Sequence, residues 1–187
     1  ADLNLALQYN PHNAAAHIML GYVALSEYFF TKARGHFASV DSQNPEANLG
    51  LALLYIRLRD IKSANDHLNR AGFSMSPRHP YYRVIKLYAA ILENPEKKHV
   101  GDALSLTKEL SGDPWGQLVL VELLITASEY GSAETILDSL AQTIPGNEQL
   151  YALRAQCSYA KHDYTGAEGF AKHTVSLNPF NALASTA

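Results

Sequence analysis

The sequence is poor in cysteine, in charged residues and in long apolar runs. Only one of its 187 residues is cysteine, so Cys157 cannot form an intramolecular disulfide or belong to a CxxC zinc or redox motif. Charged residues make up 18%, against roughly 25% in an average soluble protein, which excludes a charged coiled-coil rod or a disordered acidic or basic tail. The formal net charge of −3 provides no basic excess for nucleic acid or an anionic membrane. No apolar run reaches the roughly 18 residues that a membrane span needs.

The sequence also lacks the common catalytic motifs. It has no phosphate-binding GxxxxGK, no GxGxxG, no GxSxG elbow and no HExxH. Its eight histidines are numerous, but the closest pair, His12 and His17, lies five residues apart, whereas a helical metal site needs a separation of three or four. Cys157 and His162 are also five apart. We therefore expect no catalytic residue, no metal site and no cofactor, and we expect Cys157 to be buried as a small apolar residue.

What the sequence does contain is an internal repeat. In five places an alanine follows an aromatic or aliphatic residue by three positions, with spacings of 31, 39, 30 and 34 residues between the alanines. These alanines are Ala33, Ala64, Ala103, Ala133 and Ala167. A second mark precedes four of them by twelve positions, at Gly21, Ala52, Val121 and Ala155. Such a period is typical of stacked helical hairpins, none of which can bury its apolar face alone.

Local signals place helices within each repeat. Apolar residues recur at helical spacing in segments of about 12 to 15 residues, separated by turns. Asn44-Pro45 and Asp113-Pro114 each put a capping side chain before a proline at the first helical position, and Asn13 and Asn147 can cap in the same way. Small residues such as Gly21 and Ala52 would let helices approach closely where their axes cross. The fold class that follows is all-α, an α-solenoid.

The repeat resembles the tetratricopeptide repeat, whose unit of about 34 residues is a helix-turn-helix hairpin. The resemblance implies a right-handed superhelix and a single array over residues 1–187, a fragment of a longer chain. A local bend is expected at Gly72–Pro80, since nine residues with two prolines form a stiff link. First helices should start near Ala14, Pro45, Tyr82, Pro114 and Glu148. The units would span 14–44, 45–80, 81–113, 114–146 and 147–180, with partial flanking units at 1–11 and 181–187.

In the resembled family the first helices line a concave groove that binds other proteins. Tyr22 and Trp115 would then anchor a partner, and Arg57, Arg83 and Lys86 would select for polar groups. Carried over position by position, the resemblance names as partner-binding residues Ile18, Tyr22, Leu49, Leu53, Arg57, Arg83, Lys86, Trp115, Glu122, Gln156 and Tyr159.

The function expected is a non-catalytic scaffold that binds an extended or helical peptide segment, or a subunit, of a multiprotein assembly. The alternative is the repeat portion of an enzyme whose catalytic domain lies outside this sequence. RNA binding by helical repeats would need basic stripes, which are missing. Apolar surfaces at the ends of the array predict self-association. No targeting signal is recognised, so a cytoplasmic and a periplasmic location are both left open.

Overall fold

The computed structural model describes residues 2–94 and 97–178, and these form eleven α-helices and no strand. Pro179, Phe180 and the predicted partial unit at 181–187 lie outside the described residues, as do Ala1, Pro95 and Glu96. No helix in the described ranges is long and apolar enough to cross a membrane. The helices are α1 (Leu3–Tyr9), α2 (Ala14–Ser26), α3 (Phe30–Ala38), α4 (Pro45–Arg57), α5 (Ile61–Gly72), α6 (Pro80–Glu93), α7 (Lys97–Glu109), α8 (Pro114–Thr126), α9 (Tyr130–Thr143), α10 (Glu148–Ala160) and α11 (Tyr164–Leu177).

The chain divides into two compact units, Ala1–Ala89 and Ala90–Ala187, with the division inside α6. In the first unit α2 packs against α3 and α4 against α5, while α4 also contacts α2 and α3. In the second unit α8 packs against α9 and α10 against α11, while α10 also contacts α8 and α9. Within each unit, consecutive helices therefore form hairpins that stack on one another, as expected for an α-solenoid.

The predicted caps form at the starts of the first helices. The side chains of Asn13, Asn44, Asp113 and Asn147 each accept a hydrogen bond from a backbone N–H in the first turn of the helix that follows. Four first helices consequently start where the sequence placed them. Helix α6 differs, because it begins at Pro80 rather than near Tyr82. Proline is well suited to the first helical position, where its missing N–H costs no hydrogen bond.

A close helix approach in the first unit depends on two glycines. The Phe37 ring of α3 is fully buried and lies against Gly21 of α2 and Gly50 of α4. A Cβ atom added to Gly21 would lie 2.6 Å from a ring carbon of Phe37, which is far inside van der Waals contact. The expectation that Gly21 lets helices approach closely is thus confirmed, and the ring of Phe37 joins hairpin α2–α3 to α4.

Helix α8 forms the centre of the second unit. All nine residues from Gly116 to Leu124 are buried. A helix that is apolar on all sides is stable only when neighbours cover all of it, and α7, α9 and α10 each contact α8.

Four of the turns inside the hairpins, those that follow α2, α4, α8 and α10, share one backbone conformation. Tyr28, Arg59, Ser128 and His162 have φ between 60° and 66°, in the left-handed region that favours glycine. In each turn the next residue donates its N–H to the carbonyl five positions back, at 2.8 to 2.9 Å. This bond closes the first helix in a Schellman motif, so that the second helix can start two residues after the left-handed one.

Candidate partner-binding site

Three apolar members of the expected site are buried in the first unit. Ile18, Leu49 and Leu53 are at most 7% exposed. Ile18 and Leu49 are the fifth residues of α2 and α4, and Leu53 is the ninth residue of α4. At these positions the side chains pack between helices and leave almost no surface for a partner.

Tyr22 of α2 makes three contacts, one each with α3, α4 and α6. Its ring lies edge-on to Phe37, with the centroids 5.2 Å apart, and edge-on to Tyr81 at 6.2 Å. Its hydroxyl donates to the carbonyl oxygen of Glu46 at 3.1 Å. Burial, followed by the nearby Tyr81 and Glu46, raises the pKa of the Tyr22 phenol well above its usual value. Tyr22 is therefore a neutral donor at physiological pH, half-buried between α2, α4 and α6.

Arg57 is half-buried at the end of α4 and holds the end of α2. Its Nη1 donates to the carbonyl oxygen of Leu25 at 2.6 Å, and its guanidinium carbon lies 5.0 Å from the centre of the Tyr28 ring. A cation at the C-terminus of a helix interacts favourably with the unpaired carbonyls and the helix dipole. The structure thus gives Arg57 a packing role beside any role in binding.

Arg83 and Lys86 lie on α6, where the early start of the helix changes the register. Counted from Pro80, Val84 is the fifth residue of α6 and is buried, like Ile18 and Leu49 at that position. Lys86 is exposed, with its Nζ 5.8 Å from the centre of the Tyr82 ring, and Arg83 is half-buried. These two residues therefore place positive charge at the surface of α6.

Glu122 forms a buried polar link in the second unit. Its Oε1 accepts a hydrogen bond from Nε2 of Gln149 at 2.9 Å, which connects α8 to α10. Both side chains are buried, and among the described residues the Oε1 atom of Gln149 has no partner. Buried polar groups are usually hydrogen-bonded to one another. This pair therefore helps to fix how α8 packs against α10, and it leaves little surface for a partner.

The remaining members of the site in the second unit carry exposed or half-exposed side chains. Trp115 is 46% exposed in the first turn of α8, where its backbone N–H donates to Oδ1 of Asp113 at 3.1 Å. Tyr159 is 55% exposed near the end of α10, edge-on to Tyr164 with the ring centres 5.6 Å apart. Gln156 is half-buried one turn earlier on α10. These are the residues of the second unit that a partner can reach.

The structure reveals two side-chain contacts of histidines that the sequence reasoning missed, one with another histidine and one with an asparagine. The Nδ1 atoms of His17 and His36 lie 3.1 Å apart, joining α2 to α3. In the next hairpin, Nδ1 of His67 lies 2.8 Å from Oδ1 of the buried Asn48. Burial lowers the pKa of both His36 and His67. The repeat in the sequence could have revealed these contacts. The two residues in each contact are 19 positions apart, and the second contact lies 31 residues after the first.

Cys157 is buried, which confirms the expectation. Its Sγ lies 3.7 Å from the carbonyl oxygen of Tyr130, and burial raises the pKa of the thiol. His162 is exposed, and its Nδ1 lies 3.1 Å from the hydroxyl of Tyr164. Within residues 2–94 and 97–178 no three histidine, cysteine, aspartate or glutamate side chains are grouped so as to hold a metal ion.

Comparison with solved structures identifies the fold. The chain is similar over 100% of its length to YrrB, described as a tetratricopeptide-repeat protein with an unusual peptide-binding site, with 16% identity, 97% of that chain covered and a TM-score of 0.53. A tetratricopeptide-repeat protein from Parabacteroides merdae matches 98% of the chain at 14% identity and a TM-score of 0.59, with 75% of that protein covered. The chain has the tetratricopeptide-repeat fold.

A third structure with this fold is PilW, a type IV pilus biogenesis factor. It matches 98% of the chain at 15% identity and a TM-score of 0.50, with 86% of PilW covered. No family model and no curated protein matches the sequence. The likeness at this level of identity establishes the tetratricopeptide-repeat fold, which confirms the resemblance seen in the repeated residues of the sequence.

Proposed function

We propose that this chain is a non-catalytic scaffold that binds a peptide or subunit of another protein through the concave face of its first helices. The observation that carries the proposal is the exposure of Trp115. Every residue of α8 from Gly116 to Leu124 is buried, yet the indole next to them remains 46% exposed. Burying apolar surface contributes about 25 cal/mol per Å2, so an exposed indole forgoes stabilisation that a partner can supply. Tryptophan is also enriched among residues that dominate binding energy.

The other accessible side chains suit a protein partner. In the first unit, the exposed Lys86 and the half-buried Arg83 supply positive charge on α6, and Tyr22 and Arg57 are half-buried on α2 and α4. In the second unit, Gln156 and Tyr159 supply a hydrogen-bonding amide and a second amphipathic ring. Ile18, Leu49 and Leu53 are buried within the first unit and Glu122 within the second, so each serves packing inside its own unit. The peptide-binding site named for YrrB, a protein of the same fold, agrees with such a role.

Affinity capture from the native lysate followed by mass spectrometry tests the proposal. The baits are the wild-type chain, Trp115→Ala and the double variant Arg83→Glu with Lys86→Glu. A second double variant, Lys108→Glu with Lys172→Glu, makes the same change of charge at exposed lysines of α7 and α11. Circular dichroism on each bait ensures that only folded variants are compared.

We expect a partner that the wild type and the Lys108 and Lys172 control retain, and that the other variants lose. A partner retained equally by all baits would place binding elsewhere on the chain. Once the partner is known, Trp115 provides a direct readout, since it is the only tryptophan in the sequence. Its emission should move to shorter wavelength when a bound segment removes water from the indole, and an unchanged spectrum on binding would contradict the assignment.

A further inference from the structure

The turn between α2 and α3 forms a second exposed aromatic site, which adjoins the face proposed above where Arg57 contacts Tyr28. Tyr28, Phe29 and Phe30 follow one another there, and with Thr31 and Lys32 they line a shallow cavity of about 610 Å3. The rings of Tyr28 and Phe30 lie edge-on, 5.8 Å between centres. Phe29 remains 45% exposed.

Phe29 occupies a position that the other described hairpin turns give to an acid. It is the N-cap of α3, which has no side-chain capping bond. At the same position, Asp60 caps α5 by accepting from Ser63 N–H, and Asp163 caps α11 by accepting from Gly166 N–H. The N-cap of α9 is Glu129. Phe29 makes no capping bond, and nearly half of its surface is left uncovered, which points to a contact outside the chain.

The surroundings of this turn are cationic although the chain as a whole is acidic. Five of the seven charged residues in segments 27–34 and 57–62 are lysine or arginine, whereas the formal net charge of the chain is −3. Arg57 brings the two segments together through its contacts with Leu25 and Tyr28. Lys32 and Arg59 are exposed, and no ion pair involves either of them in the described part of the chain.

We propose that Tyr28, Phe29, Phe30, Lys32 and Arg59, here called the turn-edge site, bind an acidic segment of a partner protein that carries an aromatic or large aliphatic side chain. The apolar side chain of the segment packs against the exposed ring of Phe29 in this shallow surface, and its carboxylates face Lys32 and Arg59. An anionic bilayer is the other acidic surface that aromatic and basic residues can contact, and the test below distinguishes it from the peptide.

Fluorescence anisotropy with a designed probe tests this proposal on the full chain. The probe is a short fluorescein-labelled peptide of aspartate and glutamate with one central tryptophan-leucine pair. The key variant is Phe29→Asp, which removes the ring, adds a repelling charge and introduces the capping acid that α5 and α11 already have. Its matched control is Phe73→Asp, because Phe73 is 86% exposed at the C-cap of α5.

We expect Phe29→Asp to weaken binding by roughly tenfold or more without lowering the thermal unfolding midpoint, and Phe73→Asp to leave binding unchanged. Arg59→Glu should weaken binding, while Lys108→Glu should not. A probe with asparagine and glutamine in place of its acids should bind at least roughly tenfold more weakly, since it lacks charge for Lys32 and Arg59.

Four results would overturn the proposal. The first is that the wild type does not bind the acidic probe, and the second is that Phe29→Asp and Phe73→Asp weaken probe binding equally. The third is that the uncharged probe binds as tightly as the acidic probe. The fourth is that the wild type binds phosphatidylserine vesicles but not the probe. Arg83→Glu with Lys86→Glu should not affect the probe, so a failure here is distinguishable from a failure of the proposed function.

Discussion

The Nδ1 atoms of His17 and His36 lie 3.1 Å apart across the first hairpin, and this contact can hold only one proton. Nε2 of His17 lies 3.0 Å from the carbonyl oxygen of Pro11, which can only accept, so Nε2 carries a proton. In neutral His17 the Nδ1 atom is then an acceptor, and Nδ1–H of His36 donates to it. If both rings are charged, two N–H groups point at each other and the hydrogen bond is lost.

This contact predicts that the first hairpin loses stability in mild acid. Burial, then His17 and then Lys32 lower the pKa of His36 from its ordinary value of 6.5. A histidine with a lower pKa in the folded state binds fewer protons there than in the unfolded state. Its contribution to stability is therefore complete above about pH 6.5 and is lost as the pH falls through the lower folded pKa. We expect the thermal unfolding midpoint of the wild type to fall more steeply between about pH 7 and pH 5 than that of His36→Gln.

His12→Gln is the matched control for this measurement. His12 is exposed, so its replacement should leave the steep dependence of the wild type in place. Parallel curves for the wild type and His36→Gln would show that the histidine contact does not couple folding to pH.

Gly50→Ala should destabilise the first unit. The added Cβ would overlap the Phe37 ring, which is enclosed on all sides, and overpacking of this kind typically costs about 1 to 3 kcal/mol. Urea unfolding measures the change. Gly35→Ala in α3 is the control, because nothing lies within 4 Å of the added Cβ and the better helix propensity of alanine should stabilise by up to about 1 kcal/mol.

A double-mutant cycle assigns the cost of Gly50→Ala to the ring. Phe37→Leu destabilises by itself because it leaves space in the core. Since that space accommodates the new methyl group, the double variant should be more stable than the sum of the two single changes allows. Strict additivity would mean that the loss comes from the backbone and not from the contact with Phe37.

Ser128→Gly should stabilise the second unit. Ser128 has a φ of 63°, a conformation that costs an L-residue roughly 1 kcal/mol and costs glycine nothing. Ser128→Ala keeps this cost and removes the same hydroxyl, so it is the matched comparison. We expect the glycine variant to exceed the alanine variant by about 1 kcal/mol in the free energy of unfolding, reduced somewhat by the greater freedom of glycine in the unfolded chain. Equal stability would show that the turn relaxes when the side chain is removed.

The exposed apolar face of α10 and α11 predicts self-association. Tyr159, Tyr164 and Val175 are each at least 39% exposed, and they line a cavity of about 340 Å3 with Ala167, Ala171 and the ion pair of Glu168 with Lys172. Sedimentation velocity over a range of concentrations should show dimers or larger species that Tyr164→Asp with Val175→Asp reduces. Aspartate at Leu104 and Ser105, two uncharged and exposed residues of α7, makes the same change of charge and provides the control. A wild type that remains monomeric at the highest concentration would contradict this prediction.

The sequence predicted the helices well because their signals are local. Asn13, Asn44, Asp113 and Asn147 cap the helices that they were expected to cap, since a capping side chain bonds to N–H groups two or three residues away. The period of the alanines likewise fixed the hairpin as the repeated unit and led to the tetratricopeptide-repeat fold. Helix α6 begins at Pro80, two residues before the predicted start near Tyr82, because the long stretch Gly72–Pro80 interrupts the repeat period from which the start was counted.

Exposure along the first helices could not be obtained from the sequence. A residue on the inner face of a helix contacts a neighbour or solvent according to how the next hairpin packs, and a period of 34 residues does not give that packing. Thus Leu49 and Glu122 occupy positions expected to bind a partner and are buried, whereas Trp115 and Tyr159 remain accessible.

The sequence by itself determined the helices and their caps, which depend on residues within one or two turns of each other, and the repeat, which is visible because the same local pattern recurs along the chain. Only the tertiary structure decided which residues of different helices meet. These contacts are His17 with His36, Asn48 with His67, the ring of Phe37 with two glycines, and Arg57 with Tyr28. These contacts join residues 13 to 29 positions apart, and their partners are selected by the packing of whole helices rather than by any local preference.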